Sequence, residues 1–126
     1  ILETCLKKGV HLNDAKVLFC GVTFKKDVPD LRNSQALKLL FKIYNYLTCI
    51  KVHEPNVDQG DLILPNNLEQ INLQDIDEKF ELIIIAVDHT EYLKLGIEHF
   101  LDLKSDSGII IDIPAIFEPT SVDFQL

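Results

Sequence analysis

Three cations stand close together in this sequence: Lys25, Lys26 and Arg32. They occupy a polar loop between an apolar run, Lys16 to Gly21, and a helix-capping pair, Asn33 and Ser34. Lysine offers a compact point charge and arginine a planar fork, and both bind phosphate or carboxylate oxygens. In an open α/β sheet, ligands sit on loops that leave the C-terminal ends of strands. A helix N-terminus beside such a loop adds unpaired N–H groups and a positive dipole end. The pattern therefore points to a phosphate-bearing ligand. Gly21 is followed by V-T-F-K-K-D rather than G-x-G-x-x-G, and no P-loop lysine motif occurs. Side chains, not a glycine-lined backbone cradle, would recognise the phosphate. Lys25 leads the candidates because it follows the apolar Phe24 at the expected rim, although it reads equally as a solvated surface lysine. Lys26 reads as solvated. Arg32 either forks onto a ligand or pairs internally with Asp27 or Asp30, and Asp30 either caps the helix or orients Arg32.

Elsewhere the signals are weaker. His89, at a strand end, fits an acid or base, but closing a loop by hydrogen bonding is favoured. Asp112 ends the last strand, as a site residue or a turn residue. His11, His53 and His99 are scattered, without metal-ligand spacing. No Ser-His-Asp arrangement and no carboxylate pair stands out, so no catalytic residue is assigned. Cys5, Cys20 and Cys49 are odd in number and lack C-x-x-C spacing. Cys20 and Cys49 lie in expected strands, which suits reduced structural thiols and a cytoplasmic protein.

The elements that must position the loop follow from periodicity. Ile1 to Lys8 has helical spacing and ends at Gly9, so residues 1–13 read as the tail of a preceding helix plus a linker, and residues 14–126 as one domain. Val17 to Cys20 is a continuous apolar run, suited to a strand buried on both faces. Ser34 to Thr48 places Leu37, Leu40, Phe41, Tyr44 and Leu47 on one helical face. Cys49 to His53 reads as the second strand, ended by Glu54-Pro55-Asn56. Asp61 to Leu64 suggests a short strand, and Leu68 to Ile71 one helical turn. Leu82 to Val87 is the clearest buried strand. A helix from a Thr90 cap to about Leu101 follows, with Gly96 inside it. Asp106-Ser107-Gly108 turns the chain into a last strand, Ile109 to Ile113. Alternating strands and helices imply a Rossmann-like, doubly wound parallel sheet with helices on both faces, a three-layer α/β sandwich. The loops after Gly21, His53, Val87 and Ile113 then share one edge.

At 126 residues with a formal charge of −8, the chain fits a single acidic domain. That charge repels nucleic acid, which is excluded as a partner. The longest apolar run, Leu82 to Val87, is too short to span a membrane.

The run G-V-T-F-K-K-D-V-P-D-L-R-N-S resembles the signature F-K-x-(D/N)-x-x-D-x-R-x-S of the C-terminal, UDP-binding domain of UDP-glucose/GDP-mannose dehydrogenases. The matching positions are Phe24, Lys25, Asp27, Asp30, Arg32 and Ser34. Further similar pieces follow in order: His53-Glu54-Pro55, A-V-x-H-x-E-Y at Ala86 to Tyr92, and I-I-I-D at Ile109 to Asp112. The Pro-Asp-Leu-Arg-Asn-Ser variant is most similar to bacterial enzymes that oxidise UDP-N-acetylhexosamines for surface polysaccharides.

The resemblance implies a division of labour. An N-terminal domain binds NAD, a central helical region carries the catalytic cysteine and forms a homodimer, and the C-terminal domain closes over UDP. It implies NAD-dependent oxidation of the sugar C6 alcohol to a carboxylate in two steps, through a thioester. It further implies that Phe24 and Lys25 contact the UDP-sugar and that Arg32 reaches NAD across the cleft. Some relatives carry an arginine after the last strand; here that region reads Ile113-Pro114-Ala115-Ile116. The competing reading is a stand-alone nucleotide-binding or regulatory α/β module. A receiver domain is disfavoured, because no acidic pair follows the first strand.

Overall fold

The computed structural model describes residues 14–47, 49–65 and 68–126. The expected helix tail at Ile1 to Lys8 lies outside them. Six strands form one sheet among the described residues: β1 (Lys16–Cys20), β2 (Cys49–His53), β3 (Leu68–Gln70), β4 (Phe80–Ile85), β5 (Lys104–Asp112) and β6 (Phe124–Gln125). Their order is β3-β2-β1-β4-β5-β6, and every pairing is parallel. Among the described residues the α-helices are α1 (Gln35–Tyr44), α2 (Thr90–Leu95) and α3 (Ile97–Leu103). This is the 3-2-1-4-5-6 order of a doubly wound fold, with its topological switch between β1 and β4.

The apolar runs explain the layers. Val17, Leu18, Phe19 and Cys20 are all fully buried, as a central parallel strand requires. Successive side chains alternate between faces. Val17, Phe19, Leu82, Ile84, Ile109 and Ile111 pack with Ala36, Leu40 and Ile43 of α1. Leu18, Cys20, Ile83, Ile85 and Ile110 pack with Tyr92 of α2 and Phe100 of α3. Two cores sandwich the sheet between helices, as the sequence pattern implied. Burying a side chain the size of Leu40 contributes roughly 1.5–3 kcal/mol.

Helix α1 starts at Ser34, whose hydroxyl accepts from Leu37 N at 2.9 Å and donates to the Val22 carbonyl at 2.6 Å. One side chain thus caps the helix and ties it to the chain leaving β1. Losing the cap alone would cost on the order of 1 kcal/mol. Asn33, at φ 59°, makes the turn into the cap.

Several boundaries differ from expectation. Leu68 to Ile71 is not a helical turn: Leu68–Gln70 pair with β2, and Ile71 N donates to the Val52 carbonyl. Two glutamines secure this polar edge strand, with Gln59 donating to the Gln70 carbonyl and Gln70 to the Val57 carbonyl. Asp61 to Leu64 forms no strand. The helix after β4 breaks at Gly96, whose φ of 78° is left-handed. Thr90 does not cap it either. His89 is the capping position without a side-chain cap, and Asp27 supplies the carboxylate from another loop. Strand β5 starts at Lys104 and absorbs the expected Asp106-Ser107-Gly108 turn. Gly108 lies where a Cβ would stand 2.7 Å from the Phe80 carbonyl oxygen, so the strands meet closely where their register shifts. Strand β6, two residues long, carries no sequence signal.

Candidate functional site

The chain leaving β1 turns at Gly21, where φ is 93° and a Cβ would stand 2.7 Å from that of Val87. Only glycine lets β1 and β4 end so close together. Three residues then fill the switch point: Thr23, Glu54 and His89 are all buried. One carboxylate oxygen of Glu54 accepts from Val22 N at 2.8 Å, Thr23 N at 3.2 Å and His89 Nε2 at 3.0 Å. The other accepts from Asn56 N at 2.9 Å. Burial pushes the Glu54 carboxyl up, but the hydrogen bonds from His89 and the backbone outweigh it and hold its pKa below the ordinary value.

The tautomer of His89 follows from its donors. Asp27 N donates to Nδ1 at 2.9 Å, and Asn56 Nδ2 lies 3.0 Å from the same atom. Nδ1 is therefore the acceptor, and the proton sits on Nε2, facing Glu54. Beyond this, the Asp27 carboxylate accepts from Thr90 N at 2.9 Å and from the Thr90 hydroxyl, at the N-terminus of α2. The Thr90 bonds hold the Asp27 carboxyl below its ordinary pKa.

This knot leaves the cationic loop on the outside. The Thr23 hydroxyl donates to the Lys25 carbonyl at 2.8 Å, and Phe24 N donates to the Asp30 carbonyl at 2.7 Å. The Lys25 backbone is thus fixed while its side chain is exposed, and it makes no ion pair among the described residues. Phe24 beside it is 51% exposed. Lys26 is also exposed. Arg32 is paired internally: Nε and Nη2 each donate to Asp30 at 3.1 Å. Its side chain is nonetheless 89% exposed. Of the two roles open to Asp30, it orients Arg32 and caps no helix.

The remaining candidates close turns. Asp112 is buried, accepting from Ile116 N, Phe117 N and Gln125 Nε2 at 3.1, 2.9 and 3.0 Å. It shapes the loop after β5. Cys20 lies in the core, where burial pushes its thiol up and makes it a poor nucleophile. Glu54 and Thr23 were missed as site residues in the sequence. The one available signal was an acid directly after a strand, before Pro55, at the edge His89 also reaches.

His53, also buried, lies 2.9 Å through Nδ1 from the Tyr92 hydroxyl, and its Nε2 is 3.5 Å from Glu91. Burial lowers its pKa from 6.5 to about 4, against the pull of Glu54. Between those values the unfolded chain binds the extra proton, so stability is complete above pH 6.5 and is lost as the pH falls. Roughly 2 kcal/mol should be gone by pH 5 and about 3 by pH 4. The lowered carboxyls of Glu54 and Asp27 lose their contributions at lower pH still. Denaturant midpoints across this range test the expectation, and a flat profile from pH 6.5 to 5 would contradict it.

The switch point does not fit a dinucleotide. After Gly21 it lacks the further glycines of G-x-G-x-x-G, and it is filled by Thr23, Glu54 and His89. The 290 Å³ cleft beside it is lined by Asp27, Glu91 and Lys94 among others, with two carboxylates to one ammonium.

Residues 18–119 match the model of the UDP-glucose/GDP-mannose dehydrogenase family, UDP binding domain. The chain belongs to this family. A relative of this UDP-binding domain, the UDP-N-acetyl-D-glucosamine 6-dehydrogenase of Pseudomonas aeruginosa, is 25% identical over 126 residues, covering 100% of this chain and 30% of that protein. The UDP-N-acetyl-D-mannosamine dehydrogenase of Campylobacter jejuni is 29% identical over 98 residues, covering 75% and 24%. Among solved structures, the UDP-D-ManNAc dehydrogenase of Pyrococcus horikoshii superposes with a TM-score of 0.76 at 26% identity, covering 98% and 28%. The NDP-N-acetyl-D-galactosaminuronic acid dehydrogenase of Methanosarcina mazei Go1 gives 0.78 at 21%, covering 99% and 26%, which supports the fold. This UDP-binding domain therefore spans less than a third of the length of these relatives. Among the described residues, no helix is long and apolar enough to cross a membrane.

Proposed function

We propose that this chain is the C-terminal, UDP-sugar-binding part of a cytoplasmic, NAD-dependent nucleotide-sugar 6-dehydrogenase. The full-length enzyme would be a homodimer that oxidises the sugar C6 alcohol to a carboxylate. The observation that carries this reading is the Phe24-Lys25 pair: an exposed ring and an exposed ammonium without an ion pair among the described residues, on a backbone pinned from three sides. Lys25 supplies charge to the diphosphate, and Phe24 shields that contact from water, which strengthens it. Neither moves a proton. Arg32 keeps Nη1 free of Asp30 among the described residues, and faces outward toward NAD held by the N-terminal domain. NAD supplies hydride acceptance when bound there. The nucleophile belongs to the central region, because Cys20 is sealed in the core.

It follows that this chain alone does not turn over substrate. Incubated with NAD and a panel of UDP-sugars, the 126-residue chain should yield no NADH. The full-length protein should yield two NADH for each UDP-sugar consumed. Turnover by the isolated chain would overturn the division of labour, and its absence from the full-length protein would favour a binding module.

A further inference from the structure

The Lys25 loop is not held by its own hydrogen bonds alone. Asp27 has a φ of 60°, a left-handed conformation that a non-glycine residue adopts only when its surroundings impose it. His89 holds its backbone, because the Asp27 N–H reaches Nδ1 at 2.9 Å, while Thr90 holds its carboxylate. His89 is fixed in turn by Glu54 at 3.0 Å, and Glu54 is rooted at the end of β2 by three backbone N–H groups. A chain of buried contacts thus runs from the sheet to the segment that bears Lys25.

We propose that His89 is a positioning residue for UDP binding: its Nδ1 acceptor sets the backbone of the Lys25 loop at Asp27, and its Nε2 donor anchors the ring to Glu54 at 3.0 Å, with the Thr23 hydroxyl 3.3 Å from the same atom. The inference rests on the reading of Lys25 as a UDP contact. It separates His89 from an ordinary core histidine, because its two ring nitrogens then have different consequences.

Two substitutions divide the nitrogens. In His89→Asn, the amide oxygen falls near the position of Nδ1 and can still accept from Asp27, while the contact to Glu54 is lost. In His89→Gln, the amide nitrogen falls near Nε2 and can still donate to Glu54, while the Asp27 acceptor is lost. UDP is titrated calorimetrically into the full-length protein carrying each variant, with thermal melting as the measure of folding. The expected result is that H89Q weakens UDP binding by about tenfold or more, whereas H89N recovers affinity to within about threefold of the parent, whatever their melting temperatures. Equal affinities for the two folded variants, or the reverse order, would overturn the proposal.

A second measurement does not depend on either variant folding. Coupling between sites is reciprocal. If the His89–Asp27 contact favours UDP, then UDP favours the contact, and amide exchange at Asp27 in the unmodified protein should slow when UDP is added. Unchanged exchange under saturating UDP would also overturn the proposal. Lys25→Ala serves as the discriminating control. If it leaves UDP affinity unchanged, the underlying reading of the loop fails. If it weakens binding while H89Q does not, only the role of His89 fails.

Discussion

Replacing Lys25 with alanine in the full-length protein should raise KM for the UDP-sugar by about tenfold or more. A charge-assisted hydrogen bond contributes on the order of 1.5–3 kcal/mol, and each 1.4 kcal/mol is a factor of ten in affinity. The effect should fall mainly on KM, because a contact to the diphosphate is made equally in the ground and transition states. Stability should barely change, since the side chain is exposed and makes no ion pair among the described residues. Lys25→Arg should recover only part of the loss, because a fork does not fit a site built for a point charge. Steady-state kinetics with and without the substitution give the answer. An unchanged KM would remove Lys25 from the site.

The largest expected effect on stability belongs to Glu54. Glu54→Ala strips partners from Val22 N, Thr23 N, Asn56 N and His89 Nε2 at once. Each buried donor left unpaired costs about 1–3 kcal/mol, and such costs overlap, so a total of about 4 kcal/mol or more is expected. Against a typical domain stability of about 5–15 kcal/mol, that brings the chain close to unfolding. Glu54→Gln should cost less, about 2 kcal/mol, with only the Asn56 N–H facing another donor. Denaturant midpoints for both variants test the order, and Glu54→Ala within about 1 kcal/mol of the parent would contradict the description of the knot.

The sheet was legible because central parallel strands are written as unbroken apolar runs. Val17 to Cys20 and Leu82 to Ile85 can be buried nowhere else. Helix α1 was legible from its period and the Ser34 cap, although it ends at Tyr44, short of Thr48. Strand β3 was not legible, because Leu68-Glu69-Gln70 has one buried side chain and is secured by glutamine contacts across the chain. Strand β6 is too short to carry a pattern. The candidate site divides in the same way. Phe24, Lys25 and Arg32 are neighbours in sequence, so their loop reads directly. The knot beneath it joins Thr23, Glu54 and His89 from three strand ends, and such pairing over 31 to 66 positions leaves no local trace. The Asp30–Arg32 pair was foreseen as one of two outcomes because its partners are two positions apart.

In the proposed complex the Lys25 ammonium meets the diphosphate of the ligand. Calorimetric titration of UDP and of uridine into the full-length protein, with Lys25 present and with Lys25→Ala, measures that contact directly. The two phosphates should add far less affinity in the variant, by about tenfold or more, while uridine binds both proteins alike. If the gain from uridine to UDP is the same in both proteins, the diphosphate lies elsewhere and Lys25 does not hold it.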